Sequence, residues 1–260
     1  MESLKSQDGK ITAVRQGHGP DLFIVHSLLA DRTAFDAVVP ALAARYRVTL
    51  VNLPGFHGSA AVGPGIGNYA DFVARAFAAF DIKPGAILAG NGFGGTVALA
   101  YAQAHGTHLS KLLLCDVAAA FPEEGKQAFR VMAEKVRAGG LGEIATIAAN
   151  RVYHSAYVAQ NPAAIEERRK VLLAIEPAAF IAACETLVGC DLVPGLGKVG
   201  VPTLVVYGAL DQATPPPLNK VIAAGIPGAR LVELAECGHC PPLEKPKAFL
   251  DAVSPFLALG

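Results

Sequence analysis

The chain has 260 residues, is 52% hydrophobic and only 17% charged, and sets 22 Lys and Arg against 22 Asp and Glu. It can bury a substantial core, and a formal net charge of zero lacks the basic footprint of a nucleic-acid binder. The polar start Met1-Glu2-Ser3-Leu4-Lys5 carries no secretory signal, and apolar runs such as Leu112 to Leu114 stop at Asp116, far short of a membrane span. These features predict a cytoplasmic chain with no membrane partner. Its odd, scattered set of five cysteines reads as free thiols.

Short apolar runs alternate with longer amphipathic ones, the pattern of an α/β protein with a mostly parallel sheet. Strands are expected at Ile11 to Arg15, Leu22 to His26 and Val48 to Val51. Tyr69, Phe72, Val73, Ala76, Phe77 and Phe80 then fall on one helical stripe. The apolar run Ala86 to Ala89 enters the turn Gly90-Asn91-Gly92-Phe93-Gly94-Gly95. A helix leaves it, and small residues at Ala98 and Ala102 let that helix pack closely on the sheet. The next strand runs from Lys111 to Cys115. From Phe121 to Leu196 the pattern is helical only, and strands resume at Thr203 to Tyr207 and Ala229 to Glu233. Residues 121–195 are thus expected to cap a core built from residues 1–120 and 196–260. A cap of this kind covers the carboxyl edge of the sheet, where open α/β sheets bind ligands.

A strand, a glycine-rich turn and a helix in that order frame the G-x-S-x-G nucleophile elbow. Small residues at Gly90 and Gly94 keep the turn tight enough to lift its middle residue above the sheet. That residue is Gly92, which has no side chain and cannot attack a carbonyl. Glycine tolerates the strained backbone of the elbow better than serine does, so the frame survives the missing group.

Other motifs keep company with this turn. His26-Ser27-Leu28-Leu29-Ala30-Asp31 follows an early strand, and Asn52-Leu53-Pro54-Gly55-Phe56-His57-Gly58-Ser59 approximates D-x-x-G-x-G-x-S, with Asn52 in place of Asp. Gly208-Ala209-Leu210-Asp211 and Cys237-Gly238-His239 follow the last two strands, and Glu176-Pro177 through Asp191-Leu192 forms part of the helical block. In these motifs and their order the chain resembles the α/β-hydrolase family, and more narrowly its 3-oxoadipate enol-lactone hydrolase branch. The resemblance implies an α/β-hydrolase fold with a helical cap after the sixth strand. It also implies hydrolysis of a small-molecule carboxylic ester or lactone by Ser-His-Asp-type chemistry, with no cofactor and no metal.

Carried over by position, the nucleophile site falls on Gly92, the acid on Asp211 and the base on His239. The oxyanion hole falls on the N–H groups of Leu28 and Phe93. His26, Ser27, Asn91 and Cys240 are candidate cavity-lining residues. Many relatives have Gly where Ser27 stands, although the enol-lactone hydrolases resemble this chain in using Ser. A lactone that carries a carboxylate would want a cap cation. Arg130, Arg137, Arg151, Arg168 and Arg169 are available, most of them read as solvated helix-face residues.

Gly92 leaves three readings open. The chain has lost its nucleophile and binds ligands or keeps weak activity; the serine was substituted to trap a substrate; or His239 activates a water in the space left at residue 92. A non-catalytic ligand-binding protein is therefore the alternative to a hydrolase. Cys237-Gly238-His239-Cys240 also spells a redox C-x-x-C, but too little chain follows it for a thioredoxin fold.

Overall fold

The computed structural model describes residues 1–259. Its centre is a sheet of eight strands: β1 (Glu2–Lys5), β2 (Thr12–Gln16), β3 (Asp21–Val25), β4 (Arg47–Val51), β5 (Ala86–Asn91), β6 (Leu109–Cys115), β7 (Thr203–Gly208) and β8 (Arg230–Leu234). Their spatial order is β1-β2-β4-β3-β5-β6-β7-β8. β1 and β2 run antiparallel to their neighbours, and β4, β3 and β5 through β8 are mutually parallel.

Parallel strands covered on both faces read as unbroken apolar runs, and β3, β5 and β7 are buried along their whole length. β1 lies outside the strands expected from sequence. It is a short edge strand in which only Leu4 is half-buried, so burial leaves no periodic mark on Glu2-Ser3-Leu4-Lys5.

Helices α1 (Val39–Ala43), α2 (Ile66–Ala79) and α3 (Phe93–His105) connect the first half of the sheet. The expected stripe on α2 is buried from Tyr69 to Phe77, and α3 is buried from Phe93 to Ala102. Between β6 and β7 come five helices: α4 (Glu123–Gly139), α5 (Ala145–Asn150), α6 (Ser155–Gln160), α7 (Pro162–Leu173) and α8 (Pro177–Gly189). This helical insertion occupies the cap position. α9 (Pro216–Gly225), α10 (Pro241–Glu244) and α11 (Pro246–Leu257) complete the fold. Among the described residues no single helix is long and apolar enough to cross a membrane.

β3 lies between β4 and β5, so the strand order reverses there. Connections leaving β3 and β5 diverge at such a point and open a crevice at their carboxyl ends. The turn at residues 90–95 and the loop at residues 26–31 both leave the sheet at this crevice.

Candidate active site

β5 ends at Asn91 and α3 begins at Phe93, leaving Gly92 alone in the turn with φ +55° and ψ −123°. Residues bearing a Cβ adopt this conformation only at a cost of roughly 1–3 kcal/mol, a strain typical of functional turns. The Gly92 N–H donates to the Cys115 carbonyl at 2.9 Å, and its carbonyl accepts from the Gly95 and Thr96 N–H groups. At Gly94 a Cβ would stand 2.3 Å from the carbonyl oxygens of both Val25 and His26. That glycine lets the start of α3 press against the end of β3.

Asp211 lies just beyond β7. Its Oδ1 accepts from the Ala213 and Thr214 N–H groups at 2.7 and 3.1 Å, which fixes the carboxylate in its own turn. Its Oδ2 accepts from the Thr214 hydroxyl at 2.6 Å and from His239 Nδ1 at 2.9 Å. Burial pushes the Asp211 carboxyl up, but the adjacent His239 imidazole and these donors outweigh it and hold the group below the usual carboxylate range. With Nδ1 donating to a carboxylate, the neutral ring presents Nε2 as an acceptor. That nitrogen faces the Ser27 hydroxyl at 3.2 Å. The N–H groups of Leu28 and Phe93 donate to no acceptor among the described residues, and Phe93 stands at the positive end of α3.

These groups border a cavity of about 30 Å³, room for a water molecule or two. Ser27, Gly92, Thr214 and His239 line one part of it, and Phe121, Phe129 and Leu187 bring apolar walls from the insertion. Phe121 and Phe129 pack edge to face with ring centroids 4.8 Å apart. Adjoining the cavity is a groove of about 400 Å³ that shares Phe121, Phe129 and Ala213 with it and also carries Arg151.

Of the four candidate lining residues, the cavity takes Ser27 and leaves out His26, Asn91 and Cys240. The physical reason is that the polar atoms of these three are committed to holding loops. His26 Nδ1 donates to the Ser27 carbonyl at 2.9 Å, and its Nε2 accepts from the Leu53 N–H at 3.0 Å. Asn91 Nδ2 reaches the carbonyls of Cys115 and His239, and its Oδ1 accepts from Cys240 Sγ at 3.2 Å. All five cysteines are buried and free, and burial pushes the Cys237 and Cys240 thiols well up, away from the thiolate form that redox chemistry uses. Among the described residues no group of three or more His, Cys, Asp and Glu could hold a metal ion.

The His26 strut carries a stability prediction. Burial drives its pKa from 6.5 to about 4, and protonating Nε2 would set a second hydrogen against the Leu53 N–H. The unfolded chain takes up this proton at higher pH than the native state does. Stability therefore declines as the pH falls through the window from 6.5 to 4, by roughly 3 kcal/mol for this group. Urea midpoints across that window should fall, and His26→Gln, which can donate and accept without titrating, should flatten the slope. Identical slopes in the two chains would count against the strut.

Three site residues lie outside the sequence expectations. The Thr214 hydroxyl sits 3.2 Å from His239 Nδ1 and 2.8 Å from the Asp116 carbonyl, besides its bond to Asp211. The signal for it was present, since Asp211-Gln212-Ala213-Thr214 has the spacing at which an Asp side chain captures N–H groups two and three residues on. Asp116 leaves β6 with φ +51° and accepts from the Gly208 N–H at 2.8 Å. Burial, and then the charge of Asp211, push its carboxyl well up. Glu244, buried in α10, accepts from the Gly238 N–H at 2.8 Å and shares its other oxygen with His154 Nδ1. The His239 N–H donates to the carbonyl of Val152. The ties from Val152 and His154 join residues about 90 positions apart, and no local pattern announces them.

The cap arginines stay outside the cavity. Arg130 and Arg137 pair with Glu123 and Glu185 at the surface, and Arg169 pairs with Glu166. Arg168 is buried but turns to Asp31, which also holds His57 at 2.7 Å.

Known proteins share this arrangement of elements. The chain matches the alpha/beta hydrolase family over residues 22–252. It is 29% identical over 257 residues to a pimeloyl-[acyl-carrier protein] methyl ester esterase of Aeromonas hydrophila, covering 95% of this chain and 99% of that one. It is 31% identical over 127 residues to 3-oxoadipate enol-lactonase 2 of Acinetobacter baylyi, about half of each chain (49% and 47%). The crystal structure of the enol-lactonase from Burkholderia xenovorans superposes with a TM-score of 0.91 at 25% identity, over 99% of this chain and 100% of that one. A thermophilic esterase from Thermogutta terrifontis gives 0.89 at 28% identity, over 99% and 98%. By sequence and by fold, the chain belongs to the alpha/beta hydrolase family.

Proposed function

We propose that the protein hydrolyses small carboxylic esters or lactones, with His239 as general base, Asp211 as the group that orients it, and the N–H groups of Leu28 and Phe93 as the oxyanion hole. The observation that carries this reading is the 2.9 Å contact between His239 Nδ1 and Asp211 Oδ2 beside the left-handed turn at Gly92. A buried carboxylate and imidazole held in this way, with Nε2 turned to the cavity, are costly to maintain, and ligand binding alone does not require them. Relatives named as esterases and enol-lactonases support the substrate class. The apolar inner cavity, without an arginine or lysine in its lining, favours an uncharged acyl group next to the reacting carbonyl.

With no side chain at residue 92, His239 must take its proton from another hydroxyl or from water, and turnover is expected to be slow. Short-chain p-nitrophenyl esters and enol-lactones test the reading. The chain should turn them over, and His239→Ala should abolish that turnover. Turnover that survives His239→Ala would place the chemistry elsewhere. A ligand that raises the melting temperature without ever being hydrolysed would favour a binding protein instead.

A further inference from the structure

We infer that Ser27 is the relocated nucleophile of this site, so that Ser27, His239 and Asp211 form the working triad while Gly92 makes room for it. The inference rests on the proposed ester or lactone hydrolysis and names the atom that performs it. Three observations lead to it. The Ser27 hydroxyl lies 3.2 Å from His239 Nε2, whose ring is held on its other side by Asp211 at 2.9 Å. A Cβ built at residue 92 would stand 2.5 Å from Ser27 Oγ and 2.7 Å from His239 Nε2, so the Ser27 hydroxyl sits in the volume the elbow reserves for its own side chain. Ser27 also lines the cavity while being itself almost fully buried, and among the described residues Nε2 is the one partner its hydroxyl has.

The oxyanion donors suit the move. In an elbow the residue after the nucleophile supplies one N–H and a second loop supplies the other. With the nucleophile at residue 27 the same two groups serve with their parts exchanged: Leu28 becomes the following residue and Phe93 the second-loop donor. His26 secures the new position by taking the Ser27 carbonyl on Nδ1 and the Leu53 N–H on Nε2.

The chemistry balances. The Ser27 O–H proton passes to His239 Nε2 as Oγ bonds to the carbonyl carbon, and the oxyanion lies on the Leu28 and Phe93 N–H groups. Collapse breaks the bond to the leaving oxygen, which takes the proton from Nε2 and departs as the alcohol. A water then gives a proton to Nε2 and attacks the acyl-Ser27. The carboxylic acid leaves, and the proton returns to Ser27 Oγ.

The test is covalent labelling with an alkyl fluorophosphonate, read by intact mass and tryptic mapping. One adduct is expected on the peptide Gln16 to Arg32, whose only hydroxyl side chain is that of Ser27, and His239→Ala should suppress it. Ser27→Ala should lose the label and at least about 100-fold in kcat, with KM little changed. Ser27→Cys, which keeps a nucleophile of similar size, should still show burst acylation by p-nitrophenyl acetate. If Ser27→Ala turns over esters as fast as the parent while His239→Ala is dead, hydrolysis stands with water as the attacking group and the Ser27 assignment falls. If Ser27 is labelled but no ester or lactone is turned over, the nucleophile is right and the substrate class is wrong. Absence of both label and turnover overturns the two together.

Discussion

The double substitution Gly92→Ser with Ser27→Gly should raise kcat on short-chain aryl esters by on the order of 10³ over the unaltered chain. The elbow holds its middle residue between a buried strand and a buried helix, a more rigid mount than the loop that carries Ser27. Gly92→Ser alone should gain much less. Its Cβ would meet the Ser27 hydroxyl at 2.5 Å, the Ser27 Cβ at 3.0 Å and His239 Nε2 at 2.7 Å, so one of them must move. Glycine at residue 27 removes two of the three conflicts, and the two substitutions should be strongly non-additive. The gain has a counterpart in stability. A side chain at φ +55° costs about 1–3 kcal/mol, seen as a drop of several degrees in Tm. Steady-state kinetics and thermal unfolding of the four chains check both halves. A double variant no faster than the parent would show that base and oxyanion donors are not aligned for acyl transfer.

Asp211→Asn, read in that same double-substituted background, should lower kcat by on the order of 10⁴ and leave KM nearly unchanged. The carboxylate accepts from His239 Nδ1 and thereby selects the tautomer with a bare Nε2. An asparagine amide facing Nδ1 favours the opposite tautomer, whose Nε2 already carries a hydrogen and cannot take one from serine. The turn itself should survive, because the Asn side-chain oxygen can still accept from the Ala213 and Thr214 N–H groups now held by Oδ1. Loss of activity with retained Tm is therefore expected. A fall of less than about tenfold would mean that another group orients the imidazole.

The fold was legible where burial imprints a period. The stripe on α2 and the unbroken apolar runs of β3, β5 and β7 each report how many faces the element buries. The edge strand β1 buries almost nothing and left no trace. The contact between Asp211 and His239 was readable because each sits in a motif just after a strand, and parallel topology brings the ends of β7 and β8 side by side. His26, Asn91 and Cys240 stand outside the cavity lining because their polar atoms hold the neighbouring loops. Sequence shows a polar residue beside a catalytic motif, but not whether its polar atoms face the ligand or satisfy the loop backbone. The Ser27 contact to His239 spans 212 positions and depends on a side-chain rotamer. Here Gly92 could be read from sequence as a missing group, and only the structure shows what stands in its volume.

The ties between the insertion and the loop that carries His239 also bear on which parts of the insertion could move independently of that loop. Val152 holds the His239 backbone, and His154 meets the Glu244 carboxylate that secures Gly238. A rigid swing of the whole insertion would pull the imidazole off Asp211, so residues 152–154 behave as part of the chassis. Phe121, and Phe129 on α4, are instead the aromatic side chains that line both the inner cavity and the outer groove. Residues 152–154 of the insertion thus hold the His239 loop in place, while Phe121 and Phe129 stand against both the cavity and the groove. For the proposed hydrolysis, exchanging side chains on α4 should alter the size of ester accepted while leaving the His239–Asp211 contact intact, whereas grafting a whole foreign cap should disturb both.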